Sequence, residues 1–379
     1  MAHSAKKVLL LLVDSLSARI LSQALADGHF PNLARLHQAG HWRESISIFP
    51  SITHAALSSL ATGRYPRTHG VLGSYWYLAD ENDIAYYGAD PNVIWTTGIG
   101  AFFTEFMLRL NHERLQSKTL FQHAEDQGWR AGSLNYLIFH GDKRHALEPP
   151  LLMQWVPAIN QAENTAVYGP TTLFLGDFVQ ETAVSPLPYR GGPEHWFGFK
   201  DASTADALLA LAEAGALPDL TVAYFPECDN VGHDIGPDDA HHQMLPPFDD
   251  MLGDLIAHFG GLDAMLDEVA ILITGDHAQC PIPQTGAEIP LNQILTMFQI
   301  TPAGKTWQPD DELMVCTNLR AATLYFREPT AARVQTAADG LRAAAGIDQI
   351  IYPARWLSPD QEGIVVQTEE QQLRFWPGG

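Results

Sequence analysis

Four short stretches of this sequence carry side chains that can grip a metal ion or attack an electrophile: Val13-Asp14-Ser15, Ser51-Ile52-Thr53-His54, Asp229-Asn230-Val231-Gly232-His233 and Gly275-Asp276-His277. A carboxylate and an imidazole four residues apart, as in Asp229 and His233, can hold one cation from a loop or from one helical turn. Adjacent residues such as Asp276 and His277 reach a single ion only where the backbone leaves regular structure. A hydroxyl such as that of Thr53 becomes a competent nucleophile when a cation lowers its pKa. Each stretch also has a plainer reading. Asp14 alone reads first as a helix N-cap, Thr53 as another, and the Asp-His pairs as structural hydrogen bonds.

The elements that must position these groups favour the chemical reading. Val8–Val13, Leu220–Phe225 and Val269–Thr274 are short apolar runs, each closing just before an acidic residue: Asp14, Asp229 or Asp276. Continuous apolar runs of this length predict parallel strands buried on both faces. Helices are predicted at Leu33–Gln38, His54–Ala61, Thr119–Gln127, Asp201–Ala214 and Pro247–Phe259, with Pro, Ser or Gly as punctuation. Strands alternating with helices imply an α/β fold, doubly wound, with a mostly parallel central sheet and helices on both faces. Ligands of such sheets bind beyond the carboxyl ends of the strands. Three carboxylates converge on that edge, and a bound cation is the simplest reason. Thr53 falls at the start of its helix, where backbone N–H groups and the helix dipole favour an anion.

Bulk properties narrow the partners. A formal charge of −22 over 379 residues argues against a nucleic-acid polymer, yet not against a small anion met by metal ions. Cys228, Cys280 and Cys316 form no CxxC pair, which fits a reducing, cytoplasmic setting. The run after Lys6-Lys7 is too short for a signal peptide, and no stretch approaches a membrane span. Residues 140–200, rich in Pro, Gly and aromatics, read as a cap inserted into a single domain covering 1–379.

Taken together, the four stretches, with Thr62-Gly63-Arg64-Tyr65-Pro66 and His69-Gly70, resemble the alkaline phosphatase superfamily, in particular its type I phosphodiesterase/nucleotide pyrophosphatase branch and the related phosphonoacetate hydrolases. The order matches, and Thr53 stands nine residues before Thr62. The resemblance implies an alkaline phosphatase-like fold, a small phosphoester substrate and two divalent cations, zinc by preference. It implies Asp14, Asp276 and His277 as ligands of one ion, with Thr53 in reach. Asp229, His233 and a further histidine would hold the second. Thr53 would form a phospho-threonine intermediate.

Two departures stand out. No histidine follows His277, so the last ligand lies on a longer chain than the one ending Trp376-Pro377-Gly378-Gly379, or His241 or His242 takes its place. The phosphate-binding asparagine of nucleotide pyrophosphatases falls 21 residues after the nucleophile, and Ser74 occupies that position here. Ser74 can still donate to a phosphoryl oxygen, and Tyr75, with Trp76 and Tyr77, could stack on a substrate ring or pack in the core. Phe102, Phe103 and Phe106 read as a buried helix face. Phosphonate hydrolysis is the nearest alternative activity, and a pseudoenzyme with an incomplete second zinc site is the alternative of another class. Thr53 disfavours a sulfatase, which converts Cys or Ser at this position.

Overall fold

Within Lys7–Val13 (β1) the unbroken apolar run Val8–Val13 fills two faces at once, because successive side chains of a strand point to opposite sides. Leu9, Leu11 and Val13 enter one cluster and Leu12 is equally buried opposite. Each such fully buried leucine contributes about 2 kcal/mol of hydrophobic stabilisation. The structure is a computed structural model that describes residues 6–88, 91–151, 166–282 and 288–376. Pro377 to Gly379, on which the expectation of a longer chain partly rests, and residues 152–165 of the 140–200 segment lie outside the described residues.

Two compact units divide the chain: Met1–Ser74 with Gly98–Pro281, and Tyr75–Thr97 with Ile282–Gly379. The first holds a six-stranded sheet built from β1, Ala131–Leu134 (β2), Thr172–Leu175 (β3), Val179–Glu181 (β4), Leu220–Phe225 (β5) and Val269–Thr274 (β6). Their order across the sheet is β6-β1-β5-β2-β3-β4. All pairings are parallel except β3 with β4. The 140–200 segment thus supplies two strands of the main sheet, together with an antiparallel pair of Lys143–Ala146 and Ala166–Gly169.

One face of the sheet is covered by Ala18–Ala26 (α1), Pro31–Ala39 (α2), Asp201–Glu213 (α5) and Pro237–His258 (α7), whose apolar residues share a cluster with β1 and β5. On the other, Leu120–Asp126 (α4) packs on β2 and on Thr53–Thr62 (α3). Thr119 caps α4 in a full capping box with Gln122. The start of α2 is capped from outside: the buried Asp249 of α7 accepts from Leu33 N at 2.7 Å and from Asn32 N at 3.2 Å.

Two sequence expectations are corrected. The helix expected from Pro247 begins ten residues earlier, after Gly236, and runs through Pro246-Pro247. Proline breaks a helix by removing a donor and crowding the preceding turn. Here Leu245 and Phe248, buried on either side, hold the segment in place. Strand β6 is not buried on both faces: it is the sheet edge, and Leu272 is 52% exposed.

The second unit holds two antiparallel pairs, Tyr75–Leu78 with Asp83–Tyr86 and Leu313–Asn318 with Ala321–Phe326. It also holds a three-stranded sheet of Ile350–Pro353, Ile364–Gln367 and Gln372–Phe375. The Asn318 side chain ties two of these together, accepting from Tyr75 N and donating to Tyr75 O at 2.8 Å. Among the described residues, no helix is long and apolar enough to cross a membrane.

Candidate active site

Strand β1 ends where its ladder extends one residue further, Asp14 N donating to Phe225 O at 2.9 Å. The chain then turns sharply, with Ser15 at a left-handed φ of 59°. Few non-glycine residues adopt that region, and such positions cluster at functional sites. Ser15 N donates to Asp276 Oδ1 at 3.2 Å, so the turn after β1 orients a carboxylate from the end of β6. Gly275 makes the approach possible: a Cβ there would lie 2.8 Å from Leu16 O. Ser17, not Asp14, caps α1. The N-cap reading of Asp14 is thereby removed.

His277 gathers the site. Its Nε2 lies 3.0 Å from Thr53 Oγ1, 3.4 Å from Asp14 Oδ1, 3.5 Å from Asp276 Oδ2 and 4.0 Å from Asp229 Oδ1. One donor atom from each of Asp14, Asp276 and His277 falls within 4.8 Å of the others, spacing that suits a shared cation. Asp14 Oδ1 and Asp276 Oδ2 are buried without a hydrogen-bond partner. Two such oxygens beside an imidazole are costly unless a positive charge is shared among them. The residues therefore fit a divalent ion.

Asp229 and His233 lie one turn apart on Glu227–Ile235 (α6), with His233 Nε2 3.2 Å from Asp229 Oδ2. Thr53 is the first residue of α3; Ile52 takes the cap position and makes no side-chain cap. The hydroxyl of Thr53 is turned to His277 instead of capping its own helix.

Burial, then the charges of Asp276 and Asp229, hold the Asp14 carboxyl well above the usual carboxylate range, while the hydrogen bond from Tyr224 pulls the other way. Tyr224 is fully buried on β5 and donates its hydroxyl to Asp14 Oδ2. The hydrogen bond to Asp229 raises His233, opposed by desolvation. Burial, reinforced by His277, pushes the His54 imidazole down to about 3, so it stays neutral.

Other candidates fall elsewhere. Ser74 is buried with its Oγ 2.8 Å from His54 Nδ1. Tyr75 and Trp76 are core residues of the second unit, and the Tyr75 hydroxyl accepts from Gly304 N. His241 is no substitute ligand: its Nε2 accepts from Ser17 N at 2.9 Å and its Nδ1 faces Pro237 O at 2.7 Å. His242 is exposed and stacks edge-on against His29. His69 is buried, paired with Ser59. Phe103 is buried, and Phe102 stacks on Phe106 at 5.8 Å.

Sequence reasoning did not find Tyr224 or Gln279. Gln279 donates to Asp229 Oδ1 at 2.7 Å and to Asp229 O at 3.0 Å. The only signal for Gln279 was its place two residues after His277. A cavity of about 590 Å³ lies between α1, α2 and β6, with Asp276 and His277 in its wall.

The sequence profile of type I phosphodiesterases and nucleotide pyrophosphatases matches residues 8–371. No curated protein matches the chain by sequence. Among solved structures, the chain is similar to murine ectonucleotide pyrophosphatase/phosphodiesterase 5, with 16% identity and a TM-score of 0.57 over 98% of this chain and 80% of that one. An inactive threonine-to-alanine variant of that mouse protein, in complex with AMP, matches with the same identity and TM-score over 79% of its length. Phosphonoacetate hydrolase from Sinorhizobium meliloti, in complex with phosphonoformate, is 18% identical with a TM-score of 0.56, over 99% of this chain and 84% of that one.

Proposed function

Because the chain belongs to the type I phosphodiesterase/nucleotide pyrophosphatase family of phosphoric ester hydrolases, within the alkaline phosphatase superfamily, we propose that it cleaves a phosphodiester or pyrophosphate bond in a small soluble substrate, with Thr53 as nucleophile. The observation that carries this reading is the 3.0 Å approach of Thr53 Oγ1 to His277 Nε2, inside a ring formed by Asp14, Asp229 and Asp276. A helix-start hydroxyl that faces a metal-type donor cluster, and makes no cap to its own helix, supports attack as its role.

Asp14, Asp276 and His277 would hold one divalent cation, and Asp229 with His233 would supply two of the donors of a second; these nitrogen and oxygen donors suit zinc. Bound there, the ions supply positive charge to the attacking and leaving oxygens of an in-line displacement. Thr53 Oγ1 attacks phosphorus, the bond from phosphorus to the leaving oxygen breaks, and that oxygen departs with the electron pair and the proton lost by the Thr53 hydroxyl. Phospho-Thr53 is then attacked by water, which releases the phosphate product and returns the proton to Thr53. The first-turn N–H groups of α3 and its dipole stabilise the phosphoryl oxygens throughout. Tyr224 and the Ser15 amide keep Asp14 and Asp276 oriented. The inactivity of the threonine variant of the mouse relative supports a threonine-dependent reaction on this fold. The cavity beside Asp276 and His277 offers room for the leaving group.

Metal content and hydrolysis of bis-p-nitrophenyl phosphate, p-nitrophenyl phosphate and phosphonoacetate, compared for wild type and Thr53→Ala, test the proposal. Two ions per chain are expected, with diester turnover falling by at least a thousandfold in Thr53→Ala. Release of phosphate from phosphonoacetate alone would move the assignment to C–P cleavage. Two bound ions without turnover of any ester would leave a binding protein on a hydrolase fold.

A further inference from the structure

The residue two places after His277 turns its side-chain amide onto α6. Gln279 Nε2 donates to the Asp229 carboxylate at 2.7 Å and to the Asp229 carbonyl at 3.0 Å. Its Oε1 is buried with no hydrogen-bond partner. That oxygen sits against Gly232, three residues after Asp229 and directly before His233. A Cβ at position 232 would come within 2.1 Å of it. The backbone of Gly232 does not require glycine, since it is in the helix interior with no positive φ. Alanine is the better helix former, so the absent side chain makes room for the amide.

Asp229 must otherwise share itself between neighbours that pull in different directions. Its Oδ2 meets His233 at 3.2 Å and its Oδ1 lies 4.0 Å from His277. His233 is half-exposed, so α6 alone leaves this donor pair loosely held. A double hydrogen bond from one amide to the side chain and the backbone of the same residue fixes the carboxylate rotamer against the helix.

We propose that Gln279, seated in the notch left by Gly232, is the positioning residue of the second cation site, setting that site's affinity by locking Asp229 while leaving the site of Asp14, Asp276 and His277 unaffected. The proposal rests on the two-cation reading above. Outer hydrogen bonds to metal ligands typically change affinity 10- to 100-fold. Gly232→Ala should act like Gln279→Ala, because it displaces the amide without removing it.

The test is the binding of Co²⁺ to the metal-free full-length protein, followed by visible absorption and equilibrium dialysis. Wild type, Gln279→Ala, Gln279→Glu and Gly232→Ala are compared, with circular dichroism on each. Two binding steps are expected in wild type. Both alanine variants should weaken one step 10- to 100-fold and leave the other unchanged. Gln279→Glu should weaken it in the same way, because a carboxylate cannot donate to Asp229. Unchanged affinity of both steps in Gln279→Ala and Gly232→Ala, or equal weakening of both, overturns the proposal while two-ion binding by wild type keeps the functional reading. A single step in wild type overturns both.

Discussion

Tyr224 shows how much of the site depends on a residue buried behind it. Its hydroxyl donates to Asp14 Oδ2 from a fully buried position, and burial holds its own pKa well above the ordinary value, so it remains a donor at every working pH. Tyr224→Phe removes that one proton and keeps the packing against Tyr136. Divalent-ion affinity at the site of Asp14, Asp276 and His277 should fall about 10- to 100-fold, read by equilibrium dialysis, with little change in thermal stability. Unaltered affinity would reduce Tyr224 to a core residue. Asp14, Thr53, Asp229, His233, Asp276 and His277 were legible in the sequence because their side chains advertise their chemistry and stand at breaks in apolar runs. Tyr224 and Gln279 were not. Tyr224 is one more aromatic in a buried strand until the fold brings it to Asp14, 210 residues away. His241 misled for the mirror-image reason: its imidazole suggested a ligand, yet both nitrogens serve the α1 and α7 turns.

At the scale of elements, strands whose apolar pattern is continuous were readable, and segments whose conformation depends on neighbours were not. The ten π-helical residues Glu105–Arg114 are an example. They are tied in place by Asn111, which donates to Leu137 O and accepts from His140 N, and by His112, whose Nε2 accepts from Tyr168 N. His112 Nδ1 also lies 3.1 Å from His140 Nδ1, so one of the two must be neutral there. Burial, with His140 adding to it, lowers His112 to about 4; burial likewise lowers His140. Both folded values lie below the unfolded one, so the unfolded chain binds more protons between about pH 6.5 and 4. Stability from this pair is complete above pH 6.5 and is lost as pH falls through that window, with roughly 3 kcal/mol at stake for His112. The melting temperature of wild type should drop across pH 6.5 to 4, and His112→Gln, which keeps an acceptor for Tyr168 N, should drop less. Parallel curves for the two proteins would remove the histidine pair from the account.

Across the whole molecule, one tension runs between folding and function. The first unit draws Asp14, Asp229 and Asp276 to one edge of the sheet from three strand ends, and a net charge of −22 already disfavours adding negative charge there. The sequence predicted that convergence through three apolar runs ending in acids, but not the division into two units, because the second unit is drawn from two stretches far apart in the chain, 75–97 and 282–379. The Asp14 carboxyl, raised by burial and by its acidic neighbours, opposes folding of the metal-free chain at neutral pH. Its folded value lies above its unfolded one, so this cost disappears as pH falls below the unfolded carboxylate range and grows as pH rises through the folded value. Asp14→Asn removes the charge while keeping the volume and an acceptor for Tyr224. The metal-free variant should therefore melt higher than metal-free wild type at pH 7. Zinc should reverse the order, since an ion at a hundredfold excess over its dissociation constant stabilises wild type by about 2.7 kcal/mol. The variant, short of one donor, should gain little. Scanning calorimetry of both proteins with and without zinc measures all four states. A variant that is less stable than wild type when both are metal-free would show that the three carboxylates are reconciled by something other than a bound cation.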